Sequence, residues 1–330
     1  ELGIPNFRMT NGGTGVKGGS CDHDPIATGL PSTPAMAATF DRDLNYTIGE
    51  ILGEETYAYA HQVMLGPGIN LIRTPFAGRA FEYPSEDPYL AGMVGVEQIR
   101  GIQDQGIQGQ IKHLAFNEQE EERWTAGVNI PSRAANELYL VPFEMTLKDG
   151  DSASAMCSFP YVNGTWACEN DQLLQRVVYD RWGYDGWIMS DRRATHSTVE
   201  SILAGNGVEL DFEPEWYTPE LIMMHIDAGN LEESDLDALL LPRYEKMFEF
   251  GQFEDHFLEF GEVDLDSNGE QARQVAEAGM VLLKNEGDLL PLDGDAETVA
   301  LIGVHEFAGQ AKLPPRSGND FGETVVTPYK

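Results

Sequence analysis

One aspartate and three positively charged or titratable residues stand in or beside apolar, strand-like segments of the sequence. Asp191 directly follows one such segment, Lys112 and His113 lie in another at 107–116, and Arg123 comes soon after. In a barrel of parallel strands, residues at the strand ends form the active site. A carboxylate that neighbouring cations keep ionised can act as a nucleophile, and cationic side chains can hold the hydroxyl groups of a bound molecule. These residue types therefore predict nucleophilic chemistry on a polar substrate.

Each of these candidates also has a purely structural interpretation. Asp191 could be the N-cap of the helix that follows its strand, a position at which aspartate is common. Lys112 and His113 could be a satisfied pair in the core, because a charged pair is costly to bury without a partner or a role. The residues alone leave these alternatives open.

The polar segment 78–88 contains a further candidate, Arg79, just beyond a predicted strand that ends near Arg73. A guanidinium group presents five donors in a fixed geometry, which suits sugar hydroxyls or a carboxylate. Either arginine could instead form an internal salt bridge with Glu82 or Glu86. We expect the salt bridge for Arg73 and a place in the site for Arg79.

Motifs for cofactors and metal ions are weak in this sequence. Gly13, Gly15 and Gly18 fit the G-x-G-x-x-G fingerprint of dinucleotide-binding proteins. In those proteins a helix begins within the motif, whereas here the segment 19–25 continues as a loop. The three cysteines lack the C-x-x-C spacing of zinc and redox sites. We therefore expect neither a cofactor nor a bound metal.

Two of the three cysteines flank a turn. Cys157 and Cys168 lie on either side of Asn163-Gly164, a strong signal for a tight turn. Such a turn would fold the flanking segments toward each other and so permit a disulfide. Two reduced, buried thiols are the alternative, since cysteine is among the most often buried residue types. Cys21 has no evident partner.

Strand-like and helix-like segments alternate along most of the chain. Strands are predicted at 7–9, 64–72, 108–115, 153–162, 186–190 and 207–212, and helices at 48–63, 89–105, 134–147 and 171–182. This alternation indicates a parallel sheet. About six strand–helix units favour a TIM-type (β/α)8-like barrel over a doubly wound sheet, with two strands not recognisable in the sequence.

The sequence changes character after the predicted barrel. Residues 251–269 are acidic and glycine-containing with few periodic apolar positions, which is typical of a linker. A helix at 271–284, a turn at 285–288 and a strand at 298–304 are predicted to follow. We therefore assign 1–250 to the barrel and 270–330 to the beginning of a second, truncated α/β domain, and we expect the sequence to be a fragment of a longer protein.

The charge balance narrows the range of partners. The 330 residues include 55 acidic and 21 basic ones, a formal net charge of −34. Nucleic acid and anionic membrane surfaces are poor partners for so acidic a chain. The apolar runs are far shorter than the roughly 20 residues of a membrane span, and no signal peptide is recognisable. We expect a secreted or periplasmic location rather than a cytoplasmic one, and the assembly we consider is a homodimer.

Segments spread over the chain are similar to motifs of glycoside hydrolase family 3, the group of retaining β-glucosidases and related enzymes. They are Leu2-Gly-Ile-Pro5, Leu65-Gly-Pro-Gly-Ile-Asn70, Gly78-Arg79 with Phe81-Glu-Tyr83 and Ser85-Glu-Asp-Pro88, Lys112-His113 with Asn117 and Arg123, Val162-Asn-Gly164, and Trp187-Ile-Met-Ser-Asp191 with Thr195-His196. Val281-Leu-Leu-Lys-Asn285 followed by Leu289-Leu-Pro-Leu292 resembles the start of that family's α/β sandwich domain.

The resemblance implies hydrolysis of terminal β-D-glucosides or close analogues through a glycosyl-aspartate intermediate. It implies that Asp191 is the nucleophile and that Arg79, Lys112, His113 and Arg123 hold the sugar in the subsite where the bond breaks. The substrate is then a carbohydrate, and no cofactor takes part.

The resemblance also bears on the general acid. The family's hexosaminidase branch carries an Asp-x-His motif on a barrel loop, and the loop 117–124 contains no histidine. In the glucosidase branch a glutamate of the second domain is the acid, which would lie beyond residue 330. Glu120, Glu121 and Glu122 are possible substitutes, although a run of glutamates is more often a solvated surface.

Three positions differ from the family's usual residues. Asn11 stands for a sugar-binding aspartate, Phe159 for an aromatic hydroxyl beside the nucleophile, and Arg192 for a tryptophan that follows it. An amide offers no charge, a phenyl ring offers no hydrogen bond to Asp191, and a guanidinium makes a stacking wall cationic. A catalytically silent or carbohydrate-binding homologue, or a β-xylosidase-type specificity, are therefore the alternatives.

Overall fold

The structure of the protein is a computed structural model, which describes residues 3–5, 7–17, 27–253, 261–292, 294, 298 and 300. Its strands are β1 (Met9–Asn11), β2 (Val63–Leu65), β3 (Gln108–Leu114), β4 (Gly127–Val128), β5 (Ser154–Cys157), β6 (Tyr161–Val162), β7 (Thr165–Trp166), β8 (Trp187–Ser190) and β9 (Asn206–Val208). Its α-helices are α1 (Thr33–Ala37), α2 (Arg42–Ala58), α3 (Pro88–Asp104), α4 (Ser132–Ala134), α5 (Val141–Lys148), α6 (Val199–Ala204), α7 (Pro219–Asp227), α8 (Glu233–Glu249) and α9 (Leu265–Ala278). Short 3₁₀ segments lie at Ala80–Glu82 and Ala167–Glu169, and π-helical segments at Ala135–Tyr139 and Leu174–Arg181.

The main sheet is parallel and follows chain order. Its strands are β1, β2, β3, β5, β8 and β9, each hydrogen-bonded to the next. In a doubly wound sheet the strand order would reverse at a switch point, whereas a strand order that follows the chain is that of a (β/α) barrel. The predicted parallel α/β architecture of barrel type is confirmed.

Side chains alternate between the two faces of this sheet, as they must in extended strands. Val63, Leu65, Met156, Trp187 and Met189 form one buried cluster, on the inner face. The intervening positions belong to the two clusters that pack under the helices; among them are Met64, Ile111, Ala155 and Ile188. The inner face ends in polar groups at the carboxyl ends of the strands, and this alternation decides which side chains reach the site.

A small second sheet lies beyond β5. The segment 153–162, predicted as one strand, is two: β5 joins the main sheet, and β6 pairs with β4 and β7. Pro160, which lacks a backbone N–H, stands between them and cannot continue a sheet ladder. The predicted turn at Asn163-Gly164 is confirmed, because both residues have positive φ angles, 49° and 101°, as a two-residue hairpin turn requires.

The hairpin is fixed at both ends. Asn163 bridges it to the neighbouring segment, since its side chain accepts from the N–H of Ile130 at 2.8 Å and donates to the carbonyl of Ile130 at 3.0 Å. Cys157 and Cys168 are joined by a disulfide, with their Cα atoms 5.3 Å apart. Cys21, the third cysteine, lies outside the described residues.

The helix after the barrel differs from the prediction. The helix was expected at 271–284, after a linker at 251–269. Instead, α9 begins inside the predicted linker, because the Asp264 side chain accepts from the N–H of Ser267 and caps the helix. Its buried residues Ala272 and Val275 join one of the helix-covered clusters. The last residue of α9 is Ala278, and Gly279 follows it as the C-cap. A side chain at Gly279 would meet the carbonyl oxygen of Ala35. The predicted strand 298–304 lies almost wholly outside the described residues, and the domain boundary stays a prediction.

Candidate functional site

A cavity of about 470 Å³ opens at the carboxyl ends of the parallel strands. Every substrate-site residue predicted from the sequence contributes to its wall: Asn11, Arg79, Lys112, His113, Arg123, Phe159, Asp191 and Arg192. Asn11 ends β1, Lys112 and His113 lie near the end of β3, and Asp191 directly follows β8. The parallel sheet thus brings together residues that are up to 181 positions apart in the chain.

The carboxylate of Asp191 is held by local hydrogen bonds. Its backbone N–H donates to the carbonyl of Cys157 at 2.8 Å, which extends the pairing of β8 with β5 by one residue. Its Oδ1 accepts from the N–H of Arg192 at 2.7 Å, and Oδ2 lies 3.5 Å from Nε2 of His113. The next helix, α6, has Thr198 as its N-cap, so the alternative of Asp191 as a helix cap is wrong.

Burial and neighbouring cations act on Asp191 in opposite directions. Burial raises the pKa of its carboxyl group above the ordinary value, because an ionised carboxylate is poorly solvated there. Arg79, the N–H of Arg192, Lys112 and Arg123 oppose this rise. The cations therefore favour the ionised form of the carboxyl group, which burial disfavours.

Lys112 is a buried cation, 2% exposed. Its Nζ donates to Oδ1 of Asn11 at 2.5 Å. Burial lowers the pKa of the Lys112 ammonium group to about 8; the positive charge of Arg79 adds to this effect, and Glu82 and Asp191 oppose it. Lys112 is thus still charged at neutral pH, and Asn11 is its hydrogen-bond partner in the site.

His113 is locked in position through both its backbone and its ring. The side chain of Asn70 accepts from the N–H of His113 at 2.7 Å and donates to its carbonyl at 3.0 Å. Nδ1 of the ring lies 3.2 Å from the hydroxyl of Tyr83. Burial and the cations Arg79, Lys112 and Arg123 hold the pKa of His113 well below its usual value. The ring is therefore neutral at neutral pH, so its 3.5 Å contact with Asp191 is not an ion pair.

Two arginines of the site are held by glutamates. Arg79 forms an ion pair with Glu82, and its Nη1 lies 3.9 Å from Glu120. Arg123 donates from Nη1 to Glu120 at 2.7 Å. Arg79 therefore has both features that were considered for it: it forms a salt bridge with Glu82, and it lines the cavity. The salt bridge expected for Arg73 is wrong: in the described part of the chain its guanidinium pairs with neither candidate glutamate and lies 5.4 Å from the ring centre of Tyr139.

Phe159 belongs to an aromatic wall of the cavity. Its ring centre is 4.5 Å from that of Trp124, and the guanidinium of Arg123 lies 4.8 Å from the Phe159 ring and 4.6 Å from the Trp124 ring. These contacts are cation–π interactions. They position Arg123 from one side while Glu120 holds it from the other.

The acidic run 120–122 divides into two parts. Glu120 is largely buried and bridges the two arginines, and it also accepts from the side-chain amide of Asn117 at 3.1 Å. Glu121 and Glu122 are exposed. None of the three contributes to the wall of the cavity as the structure describes it. Glu120 therefore links two arginines, whereas Glu121 and Glu122 belong to the solvated surface.

Some residues of the cavity wall were not predicted: Lys17, Glu82, Trp124, Met156 and Arg193. The alternation along β5 could have identified Met156, because it is an inner-face position near the end of that strand. Trp124 and Arg193 are the chain neighbours of predicted residues. Glu82 was considered only as a salt-bridge partner. Lys17 lies in a loop and has no periodic signal.

The described residues contain neither a candidate metal centre nor a helix able to span a membrane. They contain no group of three or more His, Cys, Asp or Glu side chains arranged to hold a metal ion. Over the same residues, no helix is both long and apolar enough to cross a membrane.

Known proteins resemble this chain closely in sequence. Residues 13–240 match the family model described as the glycosyl hydrolase family 3 N-terminal domain. The β-glucosidase B of Emericella nidulans is 34% identical over 314 residues, which are 95% of this chain and 37% of that protein. The exo-α-(1→6)-L-arabinopyranosidase of Bifidobacterium longum is 32% identical over 347 residues, covering 99% of this chain and 44% of that protein.

The fold has solved counterparts. One is the crystal structure of DesR, a β-glucosidase from Streptomyces venezuelae, in complex with D-glucose. It is similar to this chain with a TM-score of 0.82 and 32% identity, over 89% of this chain and 38% of that one. The chain spans less than half the length of each of these proteins.

Proposed function

This chain belongs to glycosyl hydrolase family 3, and from that premise we propose that it forms the sugar-binding and nucleophilic part of a glycosidase that cleaves terminal β-D-glucosides or close analogues with retention of configuration. The observation that carries the proposal is the position of Asp191, a largely buried carboxylate that shares the cavity at the carboxyl ends of the strands with Arg79, Lys112 and Arg123.

In the first step of the proposed reaction, a carboxylate oxygen of Asp191 attacks the anomeric carbon as the bond to the leaving-group oxygen breaks. A general acid gives a proton to that oxygen. In the second step, water attacks the anomeric carbon and gives its proton to the same group, now a base, and Asp191 leaves as a carboxylate. Two displacements at one carbon restore its original configuration.

The other residues of the cavity have binding roles in this proposal. Arg79, Lys112, His113 and Arg123 donate hydrogen bonds to the sugar hydroxyls, and Asn11 both accepts from Lys112 and faces the cavity. Hydrogen bonds that strengthen as the sugar becomes oxocarbenium-like lower the barrier. The neutral ring of His113 leaves the negative charge of Asp191 available for the attack.

We place the general acid in the part of the full-length protein outside residues 1–330. Glu120 is paired with two arginines, and Glu121 and Glu122 are exposed and do not line the cavity that the structure describes. The relatives are more than twice the length of this chain, which is consistent with a second carboxyl group elsewhere.

The test is the release of 4-nitrophenol from its β-D-glucoside, β-D-xyloside and α-L-arabinopyranoside by the full-length gene product. The panel includes a xyloside because of Asn11, Phe159 and Arg192, and an arabinopyranoside because of the Bifidobacterium relative. We expect the glucoside to be cleaved, with β-glucose as the first anomer observed by NMR. Asp191→Asn should abolish release, and Asp185→Asn, at a carboxylate 76% exposed, should not. Initial formation of α-glucose would contradict retention, and no release from any of the three would favour a silent homologue.

A further inference from the structure

Four residues form a cluster at the mouth of the cavity, which we call the rim cluster: Arg192, Arg193, Asp211 and Phe212. Nε of Arg192 lies 3.6 Å from Oδ1 of Asp211, and Nε of Arg193 lies 3.4 Å from Oδ2 of the same carboxylate. The guanidinium of Arg192 lies over the Phe212 ring, 4.4 Å from its centre. Both arginines contribute to the cavity wall.

The rim cluster carries more positive than negative charge. Two guanidinium groups share one carboxylate, which leaves one positive charge uncompensated within the cluster. The arginine side chains are 48% and 67% exposed, whereas that of Asp211 is 14% exposed, so the cations and not the anion face the solvent and the cavity. A chain of net charge −34 concentrates cations here against its overall field. Such a local excess favours a bound anion.

In the inner part of the cavity, unlike at the rim, the cationic side chains have separate partners. Arg79 and Arg123 have glutamate partners there, and Lys112 has Asn11 and lies near Asp191. These groups are less exposed than the arginines of the rim cluster and are engaged with one another. The rim cluster is therefore a place where a negative charge on a bound molecule would find an unshared cation.

Two contacts orient the side chain of Arg192. Its guanidinium carbon lies 4.4 Å from the centre of the Phe212 ring, and the contact with Asp211 is made through Nε. No other described residue is an ion-pair partner of its side chain. A guanidinium oriented in this way can present its two terminal nitrogens to a planar anion and donate two parallel hydrogen bonds, the arrangement that carboxylates accept.

We propose that the rim cluster binds a carboxylate on the leaving group of the substrate, so that the enzyme prefers glycosides of acidic aglycones. This proposal rests on the proposed function, because it takes the sugar to occupy the buried end beside Asp191. The leaving group then points outward through the mouth of the cavity, where Arg192 and Arg193 lie.

Two substrates with nearly equal leaving groups test the proposal. They are 4-(carboxymethyl)phenyl β-D-glucoside and the corresponding amide, 4-(carbamoylmethyl)phenyl β-D-glucoside, which differ in charge and little in the basicity of the phenol. With the full-length gene product at low ionic strength, we expect kcat/KM to be roughly tenfold higher for the acid than for the amide. The ratio should fall as sodium chloride is added, because the cluster is exposed.

Variants of the two arginines test whether the rim cluster is the source of the preference for the acid. Arg192→Gln and Arg193→Gln should each lower the acid-to-amide ratio, and the double variant should bring it close to one. Arg176→Gln is the matched control, since it removes an exposed arginine that is paired with Asp171 and lies outside the cavity. The ratio, not the absolute rate, is the measured quantity, so a general loss of activity does not imitate the result.

Binding separates this proposal from the proposed function. The affinities of the two glucosides for Asp191→Asn, measured by calorimetry, need no turnover. Tighter binding of the acid, lost in the double arginine variant, supports the rim cluster even if neither compound is hydrolysed. Equal affinities, or an acid-to-amide ratio that persists in the double variant, would overturn it. Binding without hydrolysis by the unmodified enzyme would contradict the proposed function alone.

Discussion

At Lys112, stability and activity are expected to oppose each other. Burial lowers its pKa from 10.5 to about 8, so the folded protein holds the ammonium form less well than the unfolded chain does. Between these values the unfolded state binds more protons, and stability therefore rises with pH. Below about pH 8 the full penalty of the buried charge is present.

Lys112→Met should remove that penalty and, in the proposed mechanism, a donor to the sugar. We expect the free energy of unfolding to increase by about 1 to 3 kcal/mol at pH 7, with the lost bond to Asn11 offsetting part of the gain. The increase should shrink above pH 8. Activity should fall by about 100-fold. The measurements are denaturant unfolding across pH and kcat/KM. Lys148→Met, at an exposed lysine paired with Glu144, is the control. A Lys112→Met variant that is less stable than the original protein at pH 7 would show that the buried charge does not destabilise the fold.

The acid limb of the pH–activity profile belongs to Asp191 in this account. Only the carboxylate is a nucleophile, so kcat/KM falls as the pH drops through the pKa of Asp191 in the free enzyme. Among the cations, Arg79 opposes the raised pKa most and Arg123 least. Arg79→Gln should therefore move the acid limb to higher pH, and Arg123→Gln should move it less. Both variants also lose rate, but a limb that stays in place in Arg79→Gln would show that Asp191 is not the titrating group.

Among the elements, the hairpin of β6 and β7 depends on the disulfide that closes it. Cys157 and Cys168 are 11 residues apart, and a cross-link over a loop of that length stabilises a protein by about 3 kcal/mol in the chain-entropy model. The double variant Cys157→Ala/Cys168→Ala should lose about that much stability. Because Phe159 lies inside the closed loop, KM should also rise. Cys21→Ala serves as the control. Labelling of all three thiols in the denatured, unreduced protein would show that the disulfide does not form.

The strands show why much of this site could be predicted from the sequence. Lys112, His113 and Asp191 stand at or near the ends of apolar segments, and parallel pairing brings such ends to one edge without further information. The Asn163-Gly164 turn is equally local, since its positive φ angles are a property of those two residues. The turn prediction, which depends only on neighbouring residues, is therefore confirmed.

Contacts between distant segments could not be predicted in this way. Glu120 looked like part of a solvated run, and its role as a bridge depends on Arg79, 41 positions away. The start of α9 was missed because the segment before it is acidic and glycine-containing, while the helix is fixed by the Asp264 cap and by packing of Val275 into the barrel cluster. The apolar residues 281–283 suggested that the helix continues, yet they are exposed and not helical.

In the proposed function, the two catalytic carboxyl groups of the whole molecule are divided between this chain and the rest of the full-length protein. A polypeptide of residues 1–330 should then lack the general acid, whose contribution is typically 10²- to 10⁴-fold. We expect cellobiose hydrolysis to be reduced by about that factor relative to the full-length protein. Dinitrophenyl β-glucoside should be much less affected in the first step, because its leaving group needs little protonation.

Comparing the two substrates controls for misfolding of the shorter polypeptide. A polypeptide that is merely misfolded would lose both activities together, whereas loss of the acid alone affects cellobiose selectively. Equal cellobiose rates in the two proteins would place the acid within residues 1–330, and Glu120 to Glu122 would be the first candidates.

The most direct test of the central claim is to trap the glycosyl-enzyme. A 2-deoxy-2-fluoro-β-D-glucoside with a dinitrophenol leaving group slows both steps, but the good leaving group keeps the first one faster, so the covalent intermediate accumulates. We predict that peptide mapping by mass spectrometry of the full-length protein finds one fluoroglucosyl group, attached to Asp191. Attachment to a different carboxylate, or hydrolysis of glucosides without any trapped intermediate, would contradict it.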